Sequence, residues 1–440
     1  MSRWKRLATL GGLTSRVTGS YLGAKVRDVF LDEDGRKKAL DRLHLDNAEQ
    51  IAATLSTMKG AAMKLGQQLA VAAGALDLPP EVAGALGRLH KDAEAVPFAT
   101  IRADVEASIG EPLETAFGWF DEAPLGTASL GQAHRARLPD GTPVVVKVLH
   151  RGVAAAVDTD LLALKAVLVG SRALRRDRAE VEAAFDEIRD RLKEELDYLQ
   201  EAVNLQQFHE ALGADPRVRI PRLHHRLCTD RVLTMDQLPG RHLDAFLVDA
   251  TREARVTAGR TLADLYYTEV FELRMLHADP HPGNYLFEDD GRVGLVDFGC
   301  VKRFDRYWIA TYAKAAIAGL DQDQDTLLAA CFDLGAWNGT DAEDADLLWA
   351  FADQLCKGFR AGELELGPEN EQLMEEMRPI LSRFVSRPTV RIPKDVLFAH
   401  RSLGGLYAIH RKLGTRADFG AILRRHAEVA VANGGPDAGG

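Results

Sequence analysis

Residues 276–284 have the sequence LHADPHPGN, and residues 295–299 have the sequence LVDFG. The first stretch fits an H-x-D-x-x-x-x-N pattern that contains Asp279 and Asn284, and the second places Asp297 at the head of a D-F-G tripeptide. A phosphoryl-transfer site needs a carboxylate near the accepting hydroxyl and oxygen ligands for the Mg²⁺ on the nucleotide. We therefore predict that Asp279 orients the acceptor, and that Asn284 and Asp297 ligate Mg²⁺ beside ATP or ADP.

Either stretch alone is ordinary turn chemistry. Asp-Phe-Gly commonly follows a strand, and His-Pro-Gly-Asn favours a tight turn. The order and spacing of the two stretches, and the apolar run Val293–Val296 that leads into Asp297, favour a kinase-like phosphate site. The alternative is a degenerate fold that kept this geometry and lost the chemistry.

A lysine in an apolar strand supplies a further part of such a site. Residues 143–149 read PVVVKVL, a β-branched run in which Lys147 carries the only charge. A lysine in a buried strand is costly without a partner, so we predict that Lys147 contacts phosphate and is held by a helical glutamate. Glu201 is the candidate, because none of its helical neighbours three or four residues away is basic. A solvent-exposed Glu201 is the alternative.

The loop before this lysine lacks a G-x-G-x-x-G pattern and reads PLGTASLGQAH over residues 124–134. Its small side chains still allow backbone amides to approach phosphate oxygens. A strand over residues 231–236 ends where a kinase hinge would fall, and we expect nucleotide contacts there too. The residues predicted to bind nucleotide are Gly126, Thr127, Ala128, Ser129, Lys147, Met235 and Asp236.

These motifs give the chain a family likeness. It resembles the UbiB/AarF-like atypical kinases, also called aarF-domain-containing kinases, which carry an Ala-rich loop ending in S-I/L-G-Q-V-H, a K-x-G-Q motif, an E-x-D motif and an H-x-D-P-H-P-G-N motif. The matching residues here are Ala128–Gln132 with His134, Lys64–Gln67, Glu195–Asp197 and 277–284. The resemblance runs from the N-terminal helices to about Leu423.

The resemblance implies more than the residues show by themselves. In this family the K-x-G-Q helix folds over the active site and its lysine meets the E-x-D acid, which implies that Lys64 pairs with Glu195. It also implies an atypical kinase or ATPase that supports ubiquinone or other isoprenoid-lipid metabolism. A cleft covered by the Lys64 helix would exclude a polypeptide substrate. Gly126 and Thr127 stand where many members have alanines, so the choice between ATP and ADP does not carry over.

The expected fold is α+β: a protein-kinase-like bilobal fold with a small β-sheet lobe, a mostly helical large lobe and an N-terminal helical extension over the cleft. The predicted boundaries are 1–95 for the extension, 96–238 for the N-lobe, 239–432 for the helical C-lobe and 433–440 for a disordered tail. The residue patterns predict helices over 98–109, 178–212 and 252–276, strands over 133–138 and 143–149, and a hairpin turn over 139–142. Nucleotide and Mg²⁺ are expected between the lobes.

Composition narrows the choice of partners. With 440 residues, of which 46% are hydrophobic, the chain can bury two or three packed cores. Its net charge of −10 argues against nucleic acid as the main partner, because binding a phosphate backbone needs concentrated Lys and Arg. The expected partners are therefore a nucleotide and, from the resemblance, an isoprenoid lipid or an anionic membrane surface.

The cysteine and hydropathy patterns predict a cytoplasmic protein. The four cysteines are widely spaced and no run of about 18 apolar residues occurs. The segment before Asp28 is basic and carries an apolar stripe at helical spacing that includes Leu13 and Val17. Such a helix either packs its stripe on the protein's own core, which we favour, or lies peripherally on the inner face of the membrane.

Two rival functions remain open from the sequence. One is a small-molecule phosphotransferase of the aminoglycoside or choline kinase type, which shares the H-x-D-x-x-x-x-N loop. The 64–67 and 128–134 motifs argue against it. The other is a nucleotide-gated lipid-binding protein without catalysis.

Overall fold

The computed structural model of the chain describes most residues beyond 94 and parts of the N-terminal region. The described residues are 8–9, 11–13, 15–17, 19–20, 33–58, 64–66, 69, 78, 82–84, 95–128, 130–170, 178–367, 376, 379–380, 382–383, 387, 390 and 393–434. The chain divides into two compact units, a first unit of Met1–Ala202 with Leu223–Gln237 and a second unit of Val203–Arg222 with Leu238–Gly440.

Helices dominate the described residues, and short strands connect them. The helices are α1 Glu33–Met58, α2 Phe98–Ile109, α3 Leu113–Ala116, α4 Val153–Gly170, α5 Arg178–Glu195, α6 Tyr198–Leu212, α7 Leu243–Leu247, α8 Arg252–Tyr267, α9 Arg306–Asp321, α10 Gln324–Asp333, α11 Ala342–Lys357, α12 Lys394–Leu413 and α13 Phe419–Asn433. The strands are β1 Trp119–Thr127, β2 Gly131–Arg137, β3 Pro143–Leu149, β4 Val218–Arg219, β5 Val232–Asp236, β6 Met275–His277, β7 Tyr285–Phe287, β8 Val293–Leu295, β9 Val301–Arg303, β10 Glu363–Glu365 and β11 Arg416–Asp418. The fold is α+β, as predicted.

A four-stranded antiparallel sheet in the order β1-β2-β3-β5 organises the first unit. Alternate residues of a strand point to opposite faces. Val144, Val146 and Val148 therefore share one face, where they pack with Ile101 and Val105 of α2 in the core. Lys147 lies between them in sequence and projects from the other face.

Local turn chemistry fixes the register of this sheet. The Leu138 amide donates to the Thr142 carbonyl at 2.9 Å, and the Gly141 amide donates back to Leu138 at 2.8 Å. Gly141 has a φ of 88°, which favours glycine. The predicted hairpin, the strand over 143–149 and the helix over 98–109 are confirmed.

The single helix predicted over residues 178–212 is wrong, because the chain breaks at Leu196 and Asp197 between α5 and α6. The Asp197 carboxylate accepts the backbone N–H of Gln200 at 2.9 Å. An aspartate that takes up a free amide in this way begins a new helix. The apolar spacing continues across the break, which is why the pattern concealed it.

The helix predicted over residues 252–276 is also wrong in its last part. Helix α8 ends at Tyr267, a π-helical turn follows over Thr268–Glu272, and Arg274 takes a φ of 54°. A left-handed residue cannot continue a right-handed helix. The chain therefore turns and enters β6, where Met275–His277 pair with β9.

The second unit places short strand pairs beside packed helices. Its sheet has the order β4-β8-β7, β6 pairs with β9, and β10 pairs with β11. Side-chain caps begin several helices, as in α9, where the Asp305 carboxylate accepts the Trp308 amide at 3.0 Å. These strand pairs fix the loops on both sides of β6, β7 and β8.

The ends of the chain were predicted in part. Leu13 and Val17 are fully buried, as expected for a basic N-terminal helix that packs on the protein itself. Helix α13 continues to Asn433, and residues 435–440 of the predicted tail lie outside the described residues. Within the described part of the chain, no helix combines the length and the apolar character that a bilayer crossing requires.

Candidate functional site

The structure brings Lys147 and Glu201 together. The Lys147 Nζ lies 2.5 Å from Glu201 Oε1, and the two side chains are 16% and 4% exposed. Glu201 is in the first turn of α6, where the helix dipole favours a carboxylate. Asp197 begins α6, so the helix break at Leu196 and Asp197 is what puts Glu201 in a first turn. The pair holds an ammonium group in one orientation on the sheet face opposite the core.

A second lysine–glutamate pair joins the two helical motifs implied by the family resemblance. Lys64 Nζ lies 2.7 Å from Glu195 Oε2, and both side chains are about one quarter exposed, at 24% and 27%. Glu195 is the last residue of α5. Gln67, at the end of the K-x-G-Q motif, lies outside the described residues.

The small-residue loop closes the hairpin of β1 and β2. Gly126 and Thr127 pair with Ala133 and Gln132, and the Ala128 amide donates to the Gly131 carbonyl at 2.8 Å. These residues lie next to the strand that carries Lys147, since Ala133 pairs with Lys147. Ser129 was also predicted to bind nucleotide, and it lies outside the described residues.

Gln132 and His134, which carry the family likeness in this loop, brace the hairpin from inside. His134 Nδ1 donates to the Asp121 carbonyl at 2.8 Å, and His134 Nε2 accepts from Gln132 Nε2 at 2.8 Å. Burial lowers the pKa of His134, which agrees with a neutral ring. The Gln132 amide oxygen also accepts the Val96 amide at 2.9 Å. Their side chains therefore fix the position of the loop.

The predicted hinge residues lie at the end of β5. Met235 pairs with Val145 and is buried on the Lys147 face of the sheet. Asp236 points the other way, and its carboxylate accepts from His224 Nε2 at 2.8 Å. Its side chain is thus engaged within the protein, and the main chain of Met235 pairs with Val145 on one side and Leu223 on the other.

Asp279 and Asn284 are held together in the second unit. Asn284 Nδ2 donates to Asp279 Oδ2 at 2.9 Å and to the Asp279 carbonyl at 3.1 Å. Asp279 is exposed, so its carboxylate faces solvent while the amide holds it. His281 accepts the Gly283 amide at 3.0 Å and stabilises the turn between them.

The D-F-G segment is fixed through its main chain. His277 Nε2 donates to the Asp297 carbonyl at 2.5 Å, and the Gly299 amide donates to Asp297 Oδ1 at 3.0 Å. Phe298 is buried against Phe208 and His277, with ring centroids 5.3 and 6.0 Å apart. His277 therefore braces the loop.

Four supporting residues were not predicted from the sequence. Glu269 accepts the His277 amide at 2.9 Å, and burial raises its pKa to about 8. Asn204 Nδ2 donates to the Phe298 carbonyl at 2.8 Å, and Arg303 donates to the Asn204 oxygen at 2.8 Å. Glu269 lies in the unpredicted π-helical turn, and its apolar neighbours Val270 and Phe271 are the only local signal of its burial.

Gly405 is the fourth such residue. A Cβ placed on it would lie 2.3 Å from Cγ of Pro280, next to Asp279. The neighbouring Gly404 has nothing within 4 Å of the same position. Pro280 thus packs against the bare backbone of α12, and nothing in the local sequence shows which of the two glycines receives it.

The residues present fit a magnesium nucleotide. Mg²⁺ prefers oxygen ligands and is usually bound by one or two protein groups together with substrate phosphates. Asn284 donates through its nitrogen, which leaves its amide oxygen for a cation, and Asp297 supplies a carboxylate. Within the described ranges, no group of three or more His, Cys, Asp or Glu side chains could hold a metal by itself. That donor set suits a cation shared with phosphate.

Comparison with known proteins agrees with this geometry. The ABC1 atypical kinase-like domain matches residues 88–331, which contain all of the candidate site residues except Lys64. This chain belongs to the ABC1 atypical kinase-like family. The family is the one that the sequence motifs suggested under the name UbiB/AarF.

Named relatives share most of the length of this ABC1 protein. It is 30% identical to "Atypical kinase COQ8B, mitochondrial" of Rattus norvegicus, over 98% of this chain and 79% of that protein. It is 26% identical to "Atypical kinase COQ8, mitochondrial" of Saccharomyces cerevisiae, over 96% and 84%. The solved complex of Rv3197 with erythromycin from Mycobacterium tuberculosis shares the fold, with a TM-score of 0.61, 24% identity, and coverage of 88% and 97%.

Proposed function

We propose that this ABC1-family chain is an atypical kinase or ATPase. It binds a magnesium nucleotide, ATP or ADP, through Lys147, Asn284 and Asp297. The observation that carries the proposal is the Lys147–Glu201 pair, because a nearly buried ammonium held by a buried glutamate is what a kinase places on nucleotide phosphates. Asp279 orients the accepting group, and Asn284 fixes the Asp279 carboxylate.

The proposed role of each residue in the site follows from its contacts. Lys147 neutralises phosphate charge without reorganising, since Glu201 already fixes it. His277 and the Gly299 amide hold the main chain and carboxylate of Asp297. When bound, Mg²⁺ would supply charge stabilisation on the phosphates. The small residues Gly126, Thr127, Ala128 and Ser129, with Met235 and Asp236 at the predicted hinge, would shape the nucleotide pocket.

The family also suggests the metabolic setting. We infer that turnover supports ubiquinone or other isoprenoid-lipid metabolism, with an isoprenoid lipid or an anionic membrane surface as a further partner. The names of the rat and yeast relatives, both atypical kinases, support the kinase part of this proposal. The Lys64–Glu195 pair supports the predicted place of the N-terminal extension, residues 1–95, over the site. We propose a cytoplasmic protein that is peripheral at the inner face of the membrane.

Phosphate release by the purified protein tests the proposal. We expect Mg²⁺-dependent release from ATP that increases with vesicles of anionic phospholipid and is lost in Asp297→Asn. Asp325→Asn, the same change at an exposed position of α10, should leave release unchanged. Release that persists in Asp297→Asn would refute the assignment of the catalytic site.

A binding protein without catalysis is the second candidate. The solved relative was captured with erythromycin, which shows that a protein of this fold can hold a large organic molecule. In that case nucleotide would bind and depend on Asp297, but no condition would release phosphate. The aminoglycoside-type phosphotransferase loses its support, because the chain matches the ABC1 family over the site.

A further inference from the structure

An apolar chamber lies inside the second unit, and none of its described lining residues is a candidate nucleotide residue. Helices α8 to α13 all contribute side chains to it, and its volume is about 150 Å³. None of the described residues that line it is Asp, Glu, Lys or Arg. Representative lining residues are Tyr267, Phe271, Tyr312, Phe351, Leu355 and Leu403.

Three of the polar side chains in the lining are paired within the protein. His400 Nε2 and the Tyr312 hydroxyl lie 2.9 Å apart, and the Tyr266 hydroxyl donates to the Ala399 carbonyl at 2.9 Å. Burial lowers the pKa of His400 to about 4 and raises the pKa of Cys356 to about 11. At neutral pH the described lining therefore presents no charge.

Size and access suit a small apolar group. An apolar cavity of about 150 Å³ stays dry and accepts a molecule such as benzene, because water there lacks polar partners. Phe351, Leu355 and Leu403 are only half-buried, so part of the lining is exposed to solvent. Filling it removes apolar surface from water, which is favourable without any directed polar contact.

We propose that this chamber is a binding site for an uncharged hydrocarbon group, either a single aromatic ring or a short branched alkyl chain. The ligand is held by burial against the aromatic and aliphatic side chains of α9, α11 and α12. The site shares no described lining residue with the proposed nucleotide site. Its test therefore needs neither nucleotide nor Mg²⁺.

Probe binding to the purified full chain tests the site. Toluene represents the aromatic ring, and 3-methylbut-2-en-1-ol represents the branched chain. Benzoate is the matched charged control, since it has toluene's ring with a carboxylate in place of the methyl group. We expect at least one neutral probe to bind by calorimetry and to raise the Tm by about 2 °C near saturation, while benzoate does neither. Which neutral probe binds identifies the class of ligand.

Filling variants show whether binding occurs in the chamber. Ala352→Leu on α11 and Ala316→Leu on α9 each add a side chain to the lining, and we expect each to weaken probe binding at least tenfold. Ala342→Leu, at an exposed position of α11, should bind like the wild type. Two filling variants are used so that one misfolded protein, detected by circular dichroism, does not end the test.

Three results would overturn the proposal. The first is that neither neutral probe binds. The second is that benzoate binds as well as toluene. The third is that the neutral probes bind equally well to a folded filling variant and to the wild type.

Discussion

The two units hold their candidate site residues by different means. In the first unit, two long lysine side chains are fixed by glutamates, in the Lys147–Glu201 and Lys64–Glu195 pairs. In the second unit, the short side chains of Asp279 and Asp297 are fixed by amides and by the main chain. The first arrangement depends on charge, whereas the second depends on how closely the surrounding loops pack.

The two units should therefore be sensitive to different kinds of substitution. A buried ion pair is sensitive to the loss of one partner, because the other charge remains without compensation. A packed loop is sensitive to added volume, even from a residue that never touches a ligand. Charge changes should therefore dominate in the first unit, and volume changes in the second.

The largest effect is expected from Lys147→Met. The substitution leaves Glu201 buried beside an apolar side chain and should cost about 3 kcal/mol of the free energy of unfolding. Phosphate release should fall about 100-fold or more, because a fixed charge on the phosphates is lost. Urea unfolding and steady-state release measure the two effects.

The double variant Lys147→Met with Glu201→Leu separates these effects. It replaces the whole pair by apolar groups, so stability should return while activity does not. A double variant as unstable as Lys147→Met would show that the ion pair is not what the single change disrupts. Activity in the double variant would show that Lys147 does not serve the nucleotide.

The next effect is expected from Gly405→Ala in the second unit. The added methyl group would collide with Pro280, so we expect a loss of about 2 kcal/mol and slower phosphate release. Gly404→Ala is the matched control, because open space surrounds it in the same helix. It should gain about 0.5 kcal/mol. Equal effects of the two changes, measured by urea unfolding, would contradict the packing of Pro280 on Gly405.

Two buried glutamates extend the comparison to pH. Glu201 has a cationic partner, whereas Glu269 accepts a backbone amide, and burial raises the pKa of Glu269 to about 8 from 4.5. Because the folded state binds this proton more tightly, the stabilisation is complete below pH 4.5 and is lost as pH rises through 8. The slope from this group is at most about 1.4 kcal/mol per pH unit.

Glu269→Gln should remove this slope, because glutamine does not titrate. The glutamine amide oxygen can still accept the His277 N–H, so the local structure should be kept. Urea unfolding of the wild type and the variant across that pH window gives the difference. An unchanged pH dependence in the variant would mean that Glu269 is ionised in the folded protein.

The smallest effect on stability is expected from Lys64→Ala. Lys64 and Glu195 are about one quarter exposed, so their coupling in a double-mutant cycle should be about 0.5 kcal/mol and should weaken in high salt. The Lys147–Glu201 coupling should be several times larger and less sensitive to salt. Phosphate release should nevertheless fall in Lys64→Ala if this lysine serves the site. Equal coupling energies for the two pairs would contradict the claim that burial makes the Lys147–Glu201 pair the stronger one.

Local sequence signals were enough to predict much of the secondary structure of the first unit. The hairpin and its strands followed from turn residues and a β-branched run, and the helix over residues 98–109 from its pattern. Glu201 could be proposed because a helical acid without a local cation needs a distant one. Lys64 could not be found in this way, because an exposed lysine on a helix is ordinary, and only the family resemblance indicated its partner.

Tertiary contacts decided what the sequence could not show. The helix break at Asp197 and the turn at Arg274 both interrupt continuous apolar patterns, so the periodicity extended the helices across them. The difference between Gly404 and Gly405 exists only because Pro280 packs on one of them. The apolar chamber arises from six helices that no local pattern brings together.

Nucleotide binding with and without Mg²⁺ tests the central claim most directly. Thermal shift of the wild type should show stabilisation by ATP or ADP that increases with Mg²⁺. Asp297→Asn should lose the Mg²⁺-dependent part, and Lys147→Met should lose most of the nucleotide response. A Mg²⁺-dependent shift that survives intact in Asp297→Asn would contradict the account.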